Sequence, residues 1–134
     1  VGVDPLVQNL MVSSPVTVES WQPLAHARQL MLMHSFSFLP VRLGDAWCLV
    51  SELGLAKYLK GGEGNDRWSE SIATARSRGM ELREIADDEL LRPGMNANDV
   101  LARASVRDGP MLWLVVDDRR PDYLAGVLSP FELM

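Results

Sequence analysis

The feature that most constrains this chain is an internal repeat of one pattern: a strand, a turn, a second strand and a helix start. The pattern reads FLPVRLGDAWCLVSELG over residues 38–54 and WLVVDDRRPDYLAGVLSPFE over residues 113–132. The helical segments PLAHARQLMLM and DVLARASV precede the two copies at similar distances. A pattern that returns in the same order indicates a duplicated structural unit.

The two copies are too short to be independent domains. A copy of about fifty residues buries little apolar surface by itself, so we expect the two to pack on each other about a pseudo-two-fold axis. The predicted fold class is α+β, with a short β-sheet and two helices in each repeat. We place the first repeat at residues 1–60, a connecting helical insert at 61–81 and the second repeat at 82–134.

Hydrophobic periodicity gives the individual elements. Helices are predicted from Pro23, over 51–59 and over 98–106, and the polar insert is predicted to be helical from Asp66 to Arg78. Strands are predicted over 16–18, 36–41, 46–50, 111–116 and 124–128.

Charge and composition exclude several classes of partner. The formal net charge is −5, which disfavours nucleic acid and anionic membrane surfaces, because a basic face would supply most of that affinity. No apolar stretch approaches the ~18 residues that span a bilayer. The single cysteine, Cys48, excludes an internal disulfide and suits a reducing compartment, so we expect a cytoplasmic protein. The chain opens on Val1, which suggests a piece of a longer protein.

No catalytic or metal-binding pattern emerges from the sequence. Cys48 lies in an apolar run and is predicted to be a small buried hydrophobe. His26 and His34 are eight residues apart, which is not the spacing of a helical metal pair. The acidic runs at 87–89 and 117–118 are predicted to be exposed turns. We therefore expect no catalytic residue, no metal and no required cofactor.

The second strand-to-helix junction has two interpretations. Ser129 and Glu132 have the spacing of a capping box, in which each side chain bonds a backbone N–H at the helix start. A helix start also presents free N–H groups to a phosphate, and a carboxylate can accept hydrogen bonds from ribose hydroxyls. The junction therefore suits either a cap alone or a nucleotide site.

The repeated pattern resembles a pair of CBS domains, often called a Bateman module. The resemblance lies in Met11 followed by 15–18, the helix 24–31 followed by 38–41, and the strand-to-helix junction in both copies. It implies a regulatory module rather than an enzyme. It also implies an adenosine-containing ligand (AMP, ADP, ATP or S-adenosylmethionine) between the halves, homodimerisation, and an attached or partner effector domain.

The resemblance further implies where such a ligand binds. The family usually has Asp where this chain has Glu132, and the first copy has Gly54 at the matching position. Losing the charged hydrogen bonds of that carboxylate costs about 1.5–3 kcal/mol each, so we expect the first site to be weak or empty. The segments 91–96 and 111–115 are the candidates for the apolar walls of an adenine pocket. The expected ligand-binding residues are Ser129, Glu132, Arg92, Asn96, Leu114, Ser51 and Pro40.

Two hypotheses from different classes remain at this point. In the first, the module senses an adenine nucleotide or adenosyl ligand at the second site. In the second, a CBS-like module has lost ligand binding and serves only for dimerisation. Arg92, Arg119 and Arg120 are candidates for phosphate contact, although a solvated surface position is the favoured interpretation of each.

Overall fold

A computed structural model of the chain describes residues 5–13, 15–61, 66–106, 112–120 and 122–128. Helices and short antiparallel strands alternate along it, which confirms the predicted α+β class. The helices are α1 (Val7–Leu10), α2 (Leu24–His34), α3 (Glu52–Lys60), α4 (Ile72–Ser77) and α5 (Ala97–Val106). The strands are β1 (Phe38–Leu43), β2 (Ala46–Ser51), β3 (Arg83–Ile85), β4 (Trp113–Val116) and β5 (Leu124–Leu128), and 3₁₀ turns span Asp66–Ser69 and Asp87–Glu89.

The chain forms two compact units. The central unit is Val16–Ile85, and the terminal unit combines Val1–Pro15 with Ala86–Met134. Compactness and sequence repetition are different criteria, so the repeat boundaries drawn at residues 60 and 82 stay a prediction.

The sheet of the central unit is a hairpin with a third strand at its edge. β1 pairs antiparallel with β2, and β2 pairs antiparallel with β3. Gly44 in the two-residue turn has a φ of +60°, a left-handed conformation that glycine adopts without steric cost. On the other edge the N–H of Val18 donates to the carbonyl of Pro40 at 3.1 Å. The predicted strand over 16–18 is therefore reduced to this contact, whereas β3 was not predicted.

The core of the central unit includes the insert. Leu24, Ala27 and Met31 of α2 are buried at helical spacing, and they pack with apolar residues of β1 and β2. Ile72 and Ala75 of α4 belong to the same core and are fully buried. The continuous helix predicted over 66–78 is instead a 3₁₀ turn followed by α4. It breaks at Ser71, whose side chain caps α4 by accepting from the N–H of Thr74.

The terminal unit repeats the arrangement with different flanking segments. β4 and β5 form an antiparallel hairpin, and its connection is longer than the turn of the first hairpin. Leu91 lies parallel to β4 beside Val115, and Val12 lies antiparallel to β5 beside Val127. Each hairpin is thus flanked by one extended segment on each side, as a duplicated unit predicts. The core is formed by Val7, Leu91, Val100, Trp113, Val115 and Leu128.

Candidate functional site

The first strand-to-helix junction uses its serine as a helix cap. Ser51 ends β2 in an extended conformation, and its Oγ accepts from the N–H of Gly54 at 2.9 Å. Glu52 follows on the exposed first turn of α3. The hydroxyl thus satisfies one of the N–H groups that a helix start leaves without a partner. Its predicted contact with a ligand stays a prediction.

Gly54 occupies a place with no room for a side chain. An ideal Cβ at this position would lie 2.9 Å from the carbonyl oxygen of Glu81 and 2.9 Å from Oγ of Ser51. The first obstacle is backbone, which yields less readily than the end of a flexible side chain. The first junction therefore lacks a carboxylate in its sequence and also lacks the space for one, because the backbone at Glu81 packs against Gly54.

The second junction begins where the described residues end. β5 runs to Leu128, which is fully buried. Ser129 and Glu132 lie outside the described residues, so their predicted roles as a cap or as ligand contacts stay predictions. Within β5, a Cβ on Gly126 would lie 2.6 Å from Sδ of Met11 and 2.7 Å from the carbonyl oxygen of Val12. The glycine allows the N-terminal segment to approach this strand.

The other expected ligand residues divide between the two units. Leu114 is fully buried in β4, and its carbonyl accepts from the N–H of Leu91 at 2.9 Å. This pairing brings the next residue, Arg92, beside the hairpin, where its Nη1 donates to the carbonyl of Asp117 at 2.8 Å. Arg92 is half-buried and held at the strand end.

Asn96 and Pro40 have structural contacts of their own. The Asn96 side-chain oxygen accepts from the N–H of Asn98 at 2.8 Å, next to the start of α5. Pro40 is buried in β1 of the central unit, opposite Leu49. Pro40 and Ser51 therefore belong to the central unit, and Arg92, Asn96 and Leu114 belong to the terminal unit. Whether any of them contacts a ligand stays a prediction.

The remaining candidates for chemistry have ordinary surroundings. Cys48 is fully buried, and burial raises the pKa of its thiol, which disfavours the reactive thiolate. Trp113 is part of the terminal core, and the guanidinium of Arg120 lies over the ring of Tyr123. In the part of the chain that the structure describes, no group of His, Cys, Asp and Glu is arranged to hold a metal ion.

A cavity that sequence reasoning missed lies in the central unit, between α3 and the insert. It has a volume of about 260 Å³ and includes the crowded position Gly54 in its lining. The other lining residues come from α3, the 3₁₀ turn and the segment after α4, and they are Lys57, Tyr58, Arg67, Arg78, Gly79, Met80 and Glu81. The signal in the sequence was weak, because only the concentration of arginines in a polar insert pointed to it.

A partly buried polar network supports one wall of this cavity. The hydroxyl of Tyr58 donates to both carboxylate oxygens of Glu70, at 3.0 and 3.1 Å. Arg78 forms an ion pair with the same carboxylate at 2.6 Å, and the Glu70 side chain is only 10% exposed. Burial and the bond to Glu70 raise the pKa of Tyr58 above its ordinary value. Arg67 stacks on the Tyr58 ring at 4.3 Å and donates to the Tyr58 carbonyl.

Charge is distributed unequally between the two units. The central unit has eight basic and eight acidic residues, whereas the terminal unit has five basic and ten acidic residues. The net charge of −5 therefore belongs to the terminal unit. None of the helices in the described ranges combines the length and apolarity that crossing a bilayer requires.

Comparison with known proteins identifies the fold. No protein-family model matches the chain, and no curated protein matches it. Several solved structures do match the chain in fold. A protein described as an acetoin utilization protein (AcuB) from Vibrio cholerae is 14% identical with a TM-score of 0.73, covering 97% of this chain and 87% of its own.

Two further solved structures contain adenosine compounds. CBSX2 in complex with AMP is 16% identical with a TM-score of 0.66, covering 96% of this chain and 92% of its own. The CBS domain pair of MJ0100, in complex with 5′-methylthioadenosine and S-adenosyl-L-methionine, is 16% identical with a TM-score of 0.67, covering 96% of each chain. The chain therefore has the fold of a CBS-domain pair, as the resemblance predicted.

Proposed function

We propose that the chain is a regulatory module that binds one adenosine-containing ligand, AMP, ADP, ATP or S-adenosylmethionine, at its second strand-to-helix junction. The observation that carries the proposal is the asymmetry between the two junctions. The first has no carboxylate and no room for one at Gly54, whereas the second has Glu132 at the matching position. Two structures of the same fold contain AMP or adenosyl compounds, which supports the ligand class.

The proposed division of labour follows from the chemistry of the junction. Ser129 and the helix that the sequence predicts after it would favour a phosphate or ribose oxygen, because backbone N–H groups and the helix dipole attract negative charge. Glu132 accepts from the ribose hydroxyls. Leu114 of β4 and Arg92, which lies beside this strand, belong to the same proposed site. Asn96, four residues after Arg92, is its most distant member. The module needs no catalytic residue for this role, and we assign it none.

Binding has to change the module in order to regulate anything. A ligand that prefers one arrangement of a protein over another shifts the population toward that arrangement. We propose that an attached or partner effector domain reads this shift in the cytoplasm. The single buried thiol suits that compartment.

We further propose that the chain is a homodimer. The supporting observation is a group of exposed apolar side chains at the end of α2 and the start of α3: Leu32, Met33, Phe36 and Leu53. The N–H of Glu52 donates to the carbonyl of Ser37 at 2.9 Å, so the segment after α2 lies against the start of α3. Exposed apolar groups of this kind mark interaction surfaces.

The same surface favours the second candidate function, an interaction module without a ligand. The lack of room at Gly54 is consistent with it, since a chain that has lost one ligand site can lose both. The two candidates differ only in what the second junction does, so ligand binding separates them.

A thermal-shift screen with AMP, ADP, ATP, S-adenosylmethionine and NADH tests the proposal. A ligand at 100 times its Kd stabilises the folded state by about 2.7 kcal/mol. The double variant Ser129→Ala/Glu132→Ala should lose the shift, whereas Ser71→Ala, which removes the cap of α4, should keep it. No shift with any compound, together with a stable dimer by light scattering, would leave only the interaction module.

A further inference from the structure

The cavity between α3 and the insert carries cationic side chains that neither the fold nor the proposed nucleotide site accounts for. Lys57, Arg67 and Arg78 come from three separate elements and line one space of about 260 Å³. They belong to a chain whose net charge is −5 and to a unit that has eight basic and eight acidic residues in total. We propose that this cavity binds a small phosphate-bearing anion, either inorganic phosphate or a small phosphomonoester.

Two carboxylates among the described residues lie at the cavity or bond its lining, Glu81 and Glu70, and they do not cancel the three cations. Glu70 already accepts from the Tyr58 hydroxyl at both of its oxygens and from Arg78 at Oε1. Glu81 lies on the rim and is exposed, and its backbone carbonyl faces Gly54. One positive charge remains after both carboxylates are counted.

The two guanidinium groups are held in place while keeping donors for a ligand. Arg67 is fixed by its bond to the Tyr58 carbonyl and by stacking on the ring, and Arg78 by its bond to Glu70. A guanidinium has five N–H donors, and each of these two hydrogen bonds uses one, whereas stacking uses none. Fixed, planar donors suit a phosphate, which accepts two parallel hydrogen bonds from one arginine.

Lys57 contributes the third positive charge of the cavity, on a flexible side chain. Its ammonium group makes no hydrogen bond or ion pair with any residue in the described ranges, and the side chain is exposed. It lies on α3 one turn after Gly54, on the face that lines the cavity. Lys60 lies three residues farther along the same helix and does not line the cavity, so it provides a matched control.

The volume suits a small ligand. Sites for drug-sized molecules begin at about 300 Å³, slightly above this cavity. A phosphate with a short organic group therefore matches the volume better than a whole nucleotide. The inference is independent of the proposed nucleotide site, which involves Ser129 and Glu132 rather than these residues.

Amide NMR of the isotopically labelled chain tests the inference at constant ionic strength. We expect inorganic phosphate or glycerol 3-phosphate to shift the amide signals of Gly54, Arg67 and 78–81 in a saturable manner, with a Kd of about 1 mM or tighter. Glycerol should shift none of them. Tighter binding of glycerol 3-phosphate would assign a phosphomonoester, and equal binding would assign the free anion.

The variants decide whether the binding is specific. Lys57→Ala should weaken it about tenfold, because a charge-assisted hydrogen bond is lost, and Lys60→Ala should leave it unchanged. Equal weakening by both variants would reduce the effect to general electrostatics and overturn the inference. Shifts that do not saturate, or that spread over both units, would also overturn it. Failure here would leave the Ser129/Glu132 site untouched, and the reverse also holds.

Discussion

The central and terminal units share one arrangement of strands but differ in the segments that pack against it. Each is a hairpin flanked by two extended segments. The central unit adds an insert that contributes Ile72 and Ala75 to its core and closes over Gly54 through Glu81. The described residues of the terminal unit include no counterpart of this insert, and the unit carries the excess of acidic residues. The comparison shows that the first junction has no room for a side chain at Gly54, whereas the sequence of the second has Glu132 at the matching position.

The largest expected effect comes from restoring a carboxylate to the closed junction. Gly54→Asp should destabilise the chain by about 3 kcal/mol, because its Cβ meets the Glu81 carbonyl and its charge enters a buried position. Urea unfolding measures the change. Gly94→Asp is the control, since an added Cβ at Gly94 meets nothing within 4 Å. A stable Gly54→Asp variant that binds a second ligand would refute the closure.

The next effect tests whether the insert is integral to the central unit. Glu70→Ala should cost about 2 kcal/mol, because it leaves the buried Tyr58 hydroxyl without its acceptor and Arg78 without its partner. The matched variant is Glu84→Ala, which breaks the exposed ion pair between Arg76 and Glu84. Surface pairs of this kind contribute about 0–1 kcal/mol. Equal losses of unfolding free energy in the two variants would show that the Tyr58–Glu70–Arg78 network contributes no more stability than an exposed ion pair.

A smaller effect is expected at the helix caps. Ser51→Ala should lower the free energy of unfolding by about 1 kcal/mol, as expected for a lost N-cap. Ser71→Ala removes the equivalent cap of α4 and should give a similar loss. Chemical denaturation of both variants gives the comparison. A negligible loss at Ser51 alone would show that its hydroxyl is not committed to capping.

The smallest effect at neutral pH concerns Cys48. Its folded-state pKa lies above the unfolded value because burial disfavours the thiolate. The stability it contributes is therefore fully present below the unfolded pKa, and is lost as the pH rises from that value toward the folded one. Unfolding free energies measured from pH 7 to pH 10 should fall less steeply in Cys48→Val. An identical pH slope in the two proteins would contradict this account.

The sequence was most informative where periodicity was regular. Leu24, Ala27 and Met31 follow the helical spacing of the buried face of α2, and the continuous apolar run around Cys48 indicated a buried strand. The repeat indicated the fold, which the solved structures confirm.

The sequence was least informative where the decisive contact was between distant backbones. Nothing in SELG reveals that Glu81 lies against Gly54, because that approach depends on where the insert returns. The network of Tyr58, Glu70 and Arg78 was missed for the same reason, since its members are scattered through a polar segment without periodicity. Strand β3 has three residues, too few for an alternating pattern to identify it.

Calorimetric titration with AMP, ATP and S-adenosylmethionine tests the difference between the two junctions most directly, because it counts the sites. The account predicts that at least one of these compounds binds with one equivalent per chain, and that Glu132→Ala abolishes that binding. Two equivalents of similar affinity, or no heat of binding with any of the three, would contradict it.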